Sequence, residues 1–490
     1  MPKKAAVIGA GIAGIASSIR LANKGYQVDV FEANPYPGGK LTEILQEGYR
    51  FDAGPSLFTL PELVEELFLL SGQKPQDHFQ YILLPVACHY FYEDGTELKA
   101  YADKLKFAEE IYQKIGEPKE RVLQALQNSH KLYDLLADLF MKKSLHRWQT
   151  FFNPKAFKAY TRLHQLDFFR TMNQANESFF KDARVVQLFN RYATYNGSDP
   201  YQTPATLNII PHLEFNIGAY FPKLGMHAIT DSLVKLAQSL GVTFYLKTAV
   251  DKIIIEHKVA KGIMVQNEKL HYDVVVSNMD IVNTYQKLLS EQPQPKLLLE
   301  QPKSSSALIF YWGIRQTFNK LGLHNIFFSE DYRQEFEYIF KKADVFYDPT
   351  VYVNITSKYK KDDAPKGCEN WFTMINVPNN SGQNWDELIQ RSKRNIISKL
   401  GRMLGQDIEP IIVTENILDP RLIEQKTSSS LGALYGNSSN NKYAAFLRHA
   451  NFSKKYKGLF FCGGSVHPGG GIPLSLLSAK IAIEQVEELK

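Results

Sequence analysis

Gly9, Gly11 and Gly14 stand in G-x-G-x-x-G spacing, and an acid, Glu32, closes the strand-like run that follows. Glycines so spaced permit a tight turn, let a pyrophosphate approach the backbone, and let a helix pack closely on a sheet. The helix start offers unpaired N–H groups and a partial positive charge to the phosphates. Glu32 is suited to accept hydrogen bonds from both ribose hydroxyls, and it would repel a 2′-phosphate. The chemistry is dinucleotide binding. Pro37, Gly38, Gly39 and Lys40 come next. This is either an ordinary surface turn or a second glycine turn, with a cation, that continues around an extended cofactor.

The far end of the chain repeats the logic. A strand-like run, Leu459 to Cys462, gives way to Gly463-Gly464-Ser465, then to Gly469-Gly470-Gly471-Ile472-Pro473, then to a helical pattern over Leu474 to Val486. A second helix N-terminus would stabilise negative charge on a reduced ring placed near it. His467 is the titratable side chain of this turn. It is open to two readings: a proton acceptor or ring contact, or a turn histidine bonded to backbone. Asp52, beside Gly54, reads as structural.

The elements that must position these residues are legible in outline. Ala5 to Ile8 is a short apolar run that suits a buried strand. Ile12, Ile15, Ala16, Ile19 and Ala22 recur at helical spacing, Gly25 stands as a C-cap, and Tyr26 to Phe31 alternates like a second strand. Residues 80–102 read as strands around Glu93-Asp94-Gly95, and 105–190 as mostly helical. From about Gly225 the pattern is α/β again: a helix over Ala228 to Leu240, strands at Val242 to Leu246, Val250 to Glu256 and Gly262 to Gln266, and a buried run Tyr272 to Asn278. Further strands fall at Ala307 to Ile314 and Val351 to Ile355, and a helix at 385–404. The expected fold class is α/β, a Rossmann-like nucleotide fold with a mixed-sheet substrate domain and a helical lid. The expected division is discontinuous: 1–75, 225–290 and 455–490 for the nucleotide domain, 76–104 and 291–454 for the substrate domain, and 105–224 for the lid.

Bulk properties bound the function. The chain has 490 residues, 44% apolar and 22% charged, which is ordinary for a globular protein of two or three domains. Its 31 Phe and 26 Tyr suit either an aromatic core or a long apolar cavity. Cys88, Cys368 and Cys462 lie far apart without a C-x-x-C, which argues against a disulfide framework or a zinc site and fits a reducing cytosol. No signal peptide and no transmembrane run are expected. The net charge of +6 is too modest to argue for nucleic acid. The charge is unevenly placed: residues 138–170 hold seven Lys/Arg against two Asp, interleaved with large apolar residues, among them Phe140, Met141, Trp148, Phe151, Phe152, Phe157, Tyr160, Phe168 and Phe169. Such a segment is either a peripheral contact with anionic lipid or a helical unit with a solvated basic face.

Taken together, "PGGK", "FDAGPSLFTLP" (51–61), "YNGSDPYQTPAT" (195–206), "AYFPKLGMHAI" (219–229), "DVVVSNMD" (273–280) and "CGGSVHPGGGIP" extend the resemblance along nearly the whole chain. The sequence resembles the bacterial phytoene-desaturase-like carotenoid desaturases and isomerases, within the FAD-dependent amine-oxidase-like fold. The resemblance implies FAD in an extended pose. Gly9, Gly11, Ala13 and Gly14 would face the pyrophosphate, Glu32 the ribose, and Gly38, Gly39 and Lys40 the phosphates. Gly54, Pro55 and Ser56 would approach the isoalloxazine, Val250 would hold the adenine, and Gly464, Ser465, Gly471 and Ile472 would surround the ribityl chain and ring. It also implies a hydrophobic carotenoid substrate, desaturated by hydride transfer to flavin N5 and loss of a proton from the adjacent carbon, and a location at the cytoplasmic surface of the inner membrane. The electron acceptor is left open. Ser465-Val466 ahead of His467, and Leu474 where glycine is usual, are closer to the branch that desaturates 1-hydroxycarotenoids at C3–C4. Ser465 replaces the acid of some flavoproteins of this fold, which shifts ribityl contacts to backbone. Phytoene desaturase, carotene isomerase and a flavin-free isoprenoid escort protein are the alternatives.

Overall fold

Ala5–Ile8 is wholly buried, as an all-apolar strand covered on both faces requires. The computed structural model describes residues 2–152, 167, 169–441 and 448–488. In it, strand β1 (Lys4–Ile8) leads through helix α1 (Ile12–Asn23) to strand β2 (Gln27–Phe31). Three later strands, β3 (Thr243–Tyr245), β4 (Val274–Ser277) and β5 (Leu459–Phe461), complete a parallel sheet in the order β5-β4-β1-β2-β3. Alternate residues of β1 serve opposite faces. Ala5 and Val7 pack with Ile15 and Ile19 of α1, Ile229 and Leu233 of helix α2 (His227–Ser239), and Leu476 and Ile483 of helix α3 (Ile472–Glu488). Ala6 and Ile8 pack with Ile253 and Ile263 of a three-stranded meander over Lys252–Glu256, Val259–Val265 and Glu268–His271.

A second sheet has seven strands, in the order Ile412–Leu418, Ser306–Ile314, Glu369–Val377, Val351–Asn354, His324–Phe327, Val86–Phe91 and Glu97–Tyr101. All its pairings are antiparallel except that of His324–Phe327 with Val86–Phe91. Leu308, Phe310, Trp312 and Trp371 lie on one face, in one core with Trp385, Ile396 and Leu400 of the helix Trp385–Leu404. The intervening residues, Ala307, Ile309 and Tyr311 with Phe372 and Met374, face the cavity described below.

Residues 105–190 are mostly helical where described, with helices at Lys104–Ile115, Lys119–Leu136, Met172–Phe179 and Ala183–Asn190. The first is capped by Asp103, which accepts the Lys106 N–H at 2.9 Å, and is closed by Gly116 in the left-handed region. Of the strands expected over 80–102, Tyr81–Leu83 instead pairs with Tyr220–Pro222 in a two-stranded ribbon. Phe157, Tyr160 and Phe168 lie outside the described residues. No described helix is long and apolar enough to cross a membrane.

Candidate functional site

Both glycine turns open onto one cavity of about 1310 Å³, above the roughly 300–1,000 Å³ of ordinary small-molecule pockets. It runs between the parallel sheet and the cavity face of the seven-stranded sheet. Gly9, Gly11, Ala13, Glu32, Gly38, Gly39, Lys40, Gly54, Pro55, Ser56, Val250, Gly464, Ser465, His467, Gly471 and Ile472 all line it. Gly14 does not line the cavity. Its role is packing: a Cβ there would stand 2.1 Å from the Gly9 carbonyl oxygen.

The cradle is shaped by close backbone approaches. Gly11 caps α1 without a capping side chain, and the first turn of that helix carries no acid, which leaves its positive end for an anion. Gly38 has φ +106°, its N–H bonds the Ala10 carbonyl at 2.8 Å, and a Cβ would meet the Leu41 carbonyl at 2.4 Å. Gly54 has no unusual φ, yet a Cβ there would lie 1.9 Å from the Lys40 carbonyl oxygen. The first turn of α3 is also free of acids. Two helix starts and several side-chain-free approaches at one cavity fit a long, doubly charged dinucleotide.

Glu32 is buried at the end of β2. One carboxylate oxygen accepts the Ala10 N–H at 2.8 Å, and the other accepts the Asn34 N–H and side-chain amide at 2.8 and 2.9 Å. Val250 follows Thr248, whose N–H bonds the Glu32 carbonyl at 2.8 Å, so both sit at the same end of the cavity. The Lys40 ammonium donates to the carbonyls of Leu434 and Ala433 at 2.9 and 3.3 Å. Burial lowers its pKa to about 8, against the opposing pull of Asp280. Ser465 turns its hydroxyl back to accept the Ile281 N–H at 2.9 Å.

His467 is bonded to backbone: its Nε2–H donates to the Lys143 carbonyl at 2.8 Å. Burial lowers its pKa to about 4, so the ring is neutral and weakly basic. Asp52 is structural, accepting Arg50 at 2.8 Å and the N–H groups of Met226 and His227 at 2.8 and 3.0 Å where α2 begins.

Sequence reasoning assigned no role to two residues that organise the turns. Asn278, just past β4, accepts the Gly14 N–H at 3.1 Å and donates to the Cys462 carbonyl at 3.2 Å, tying the first glycine turn to the last. A Cβ on Gly11 or Gly463 would stand 2.7 or 2.5 Å from its amide. The only local signal was a polar residue ending a buried strand. Arg448 is buried and donates to the carbonyls of Tyr435, Gly464 and Asn437 at 2.6, 3.0 and 3.0 Å. Burial lowers its pKa to about 10, still high enough to keep it charged, so a cation stands behind the Gly464 turn.

Comparison with known proteins identifies the family. Residues 12–486 match the model of flavin-containing amine oxidoreductases. The chain is 50% identical over 484 residues to a 1-hydroxycarotenoid 3,4-desaturase of a Flavobacterium species, covering 99% of each protein. It is 30% identical to a 4,4'-diapolycopene oxygenase of Methylomonas, covering 98% of this chain and 97% of that one. It is 29% identical to a phytoene desaturase of Fusarium fujikuroi, covering 99% and 89%. The cyclohexylamine oxidase of Brevibacterium oxydans shares the fold, with a TM-score of 0.61 at 16% identity over 100% of this chain and 99% of that one. The chain therefore belongs to the flavin-containing amine oxidoreductases, in their carotenoid-desaturase group, and its cofactor is FAD.

Proposed function

We propose that the protein introduces the C3–C4 double bond into a 1-hydroxycarotenoid. The observation that carries this reading is the full-length 50% identity to a 1-hydroxycarotenoid 3,4-desaturase. The cavity supports it, because past the glycine cradle it offers a broad apolar lining, with Leu57, Ile209, Leu213, Ile309, Phe372 and Met374 among its residues.

Bound FAD supplies the hydride acceptor. The chain's tasks are positioning and exclusion of water. Gly9, Gly11, Ala13 and the N-terminus of α1 hold the pyrophosphate, and Glu32 the ribose. Gly38, Gly39 and Lys40 flank the phosphates. Val250 holds the adenine, and Gly54, Pro55, Ser56, Gly464, Ser465, Gly471 and Ile472 surround the ring end. Gly14 supports this set from behind. The apolar walls lay the polyene along the ring. Conjugation spreads the charge that develops as hydride leaves, so a strong base is unnecessary, and His467 serves as a ring-side support rather than a proton acceptor.

The substrate comes from a bilayer. The basic-aromatic segment 138–170, within the lid 105–224, is the membrane contact: Trp148, Phe152 and Phe169 are 68, 79 and 92% exposed, and Lys142 and Lys143 stand near Trp148 and Phe152 in sequence. Reversing the charge of Lys142, Lys143 and Arg147 is expected to abolish pelleting with anionic liposomes, and unchanged pelleting would remove this assignment.

The central experiment is expression in cells that accumulate a defined 1-hydroxycarotenoid. The expected product is two hydrogens lighter and absorbs at longer wavelength. A product of unchanged mass would indicate isomerisation, and no product would refute the proposal.

A further inference from the structure

A cavity built only for a hydrocarbon has no use for buried polar groups, which are costly to desolvate. Yet one wall holds a directed chain of them. The Ser56 hydroxyl lies 2.7 Å from the Tyr352 hydroxyl, which lies 2.7 Å from Nδ1 of His324. All three residues line the cavity. Tyr352 and His324 project from adjacent strands of the seven-stranded sheet, where Ile326 is registered with Tyr352 and His324 with Asn354.

The direction of the chain follows from its last partner. The Asn354 side-chain amide donates to the Leu323 carbonyl at 3.0 Å and approaches His324 Nδ1 at 3.1 Å. An amide nitrogen has only hydrogens to give, so Nδ1 is an acceptor. The ring is neutral, its pKa lowered to about 3 by burial and then by Arg191 and His89, so its one proton sits on Nε2. Tyr352, the nearer of the two donors at 2.7 against 3.1 Å, then shares the single Nδ1 lone pair with Asn354, and Ser56 donates to Tyr352. The Ser56 oxygen is left with unused lone pairs and no hydrogen to give. His324 Nε2 is in addition a buried donor with no partner among the described residues.

We propose that the Ser56–Tyr352–His324 chain is the anchor for the substrate's 1-hydroxyl, which donates its hydrogen bond to Ser56 Oγ. This rests on the 3,4-desaturation reading above. In that substrate the hydroxyl oxygen is separated from C4 by four bonds, a span of about 5 Å. A group that binds the hydroxyl must therefore sit beside the reacting carbon. Ser56 meets this requirement because it belongs, with Gly54 and Pro55, to the segment assigned to the ring end. The chain polarises each bond in turn, which strengthens the terminal acceptor. It thus sets both the choice of substrate and the registry of C3–C4 against the ring.

The test is equilibrium binding of two pigments to the FAD-loaded protein, followed by the shift of the carotenoid absorption band. One pigment carries the 1-hydroxyl and the other is the same polyene without it. Wild type is expected to prefer the hydroxylated pigment by roughly three- to tenfold, the worth of one hydrogen bond. In Ser56→Ala and Tyr352→Phe the ratio is expected to fall toward one. Flavin absorbance of each variant certifies loading, and if neither variant loads, the wild-type ratio decides. Equal wild-type affinities overturn the anchor while leaving desaturation intact. So does a ratio unchanged in both loaded variants. A wild type that binds neither pigment, or places its new double bond away from C3–C4, overturns the underlying reading instead.

Discussion

Single atoms decide whether the cradle accepts its cofactor. A Cβ at Gly54 would meet the Lys40 carbonyl at 1.9 Å, and a peptide oxygen cannot turn aside as a side chain can. Gly54→Ala is expected to cost about 1–3 kcal/mol of stability and to yield protein with much less bound flavin, read from its visible absorbance. His467 makes the opposite prediction. Its Nε2–H is committed to the Lys143 carbonyl, and its pKa of about 4 leaves it neutral at working pH. His467→Gln keeps a donor for that carbonyl. Its kcat is expected to fall less than about tenfold, because loss of a true general base costs about 10²–10⁴; a hundredfold loss would make it the base after all. The glycines and Glu32 were legible because their spacing is a local property of one βαβ unit. Asn278 was not, because its partners Gly14 and Cys462 become neighbours only when β4 and β5 enter the sheet. The same holds for Tyr352 and His324, unremarkable strand residues until registration places them on one wall.

At the scale of elements, legibility followed burial. Ser306–Ile314, Lys4–Ile8 and Val274–Ser277 are apolar enough to be read directly. Ile412–Leu418, at the edge of the seven-stranded sheet, was not anticipated: it is mostly half-exposed, and Thr414, Glu415 and Asn416 interrupt its apolar pattern. Gly14, expected to face the pyrophosphate, lies against the Gly9 carbonyl, in the close helix-to-sheet packing that the same spacing permits. The seven-stranded sheet forms one wall of the cavity only because its other face is held by the helix Trp385–Leu404. Trp371 sits at that join, fully buried, with its indole N–H donating to Glu369 at 2.9 Å. Trp371→Ala is expected to cost about 3–5 kcal/mol, seen as a lower denaturant midpoint. A loss under about 1 kcal/mol would show that this helix does not brace the wall.

Across the whole molecule, burial leaves its mark on pH response. His89, His146, His212, His324, His449 and His467 are all held below the ordinary histidine range, in each case first by desolvation. In the unfolded chain they take up protons near pH 6.5. From there down to about 4 the unfolded state binds more of their protons, so their contribution to stability falls as pH falls. Asp199, Asp280, Asp363 and Glu335, raised by burial, act in the opposite sense. A single replacement isolates the histidine effect. His212, with its pKa lowered to about 4, stacks on Tyr133 at 4.4 Å and on His130 at 4.9 Å, and its Nδ1 has no partner among the described residues. His212→Phe keeps the stacking and removes the titration. The variant's thermal midpoint is expected to gain on wild type as pH is lowered from about 7 to about 5, and a constant difference would contradict this account.

The thread between the two glycine turns has a further consequence. The Ser17 hydroxyl meets the Cys462 thiol at 3.4 Å, although 445 residues separate them in the chain. A ribosome thus makes the opening nucleotide unit long before the strand and turn that finish its pocket. Flavin capture accordingly awaits synthesis of that last turn, and in the interval the unfinished sheet edge beside β4 is exposed to whatever other strand reaches it first.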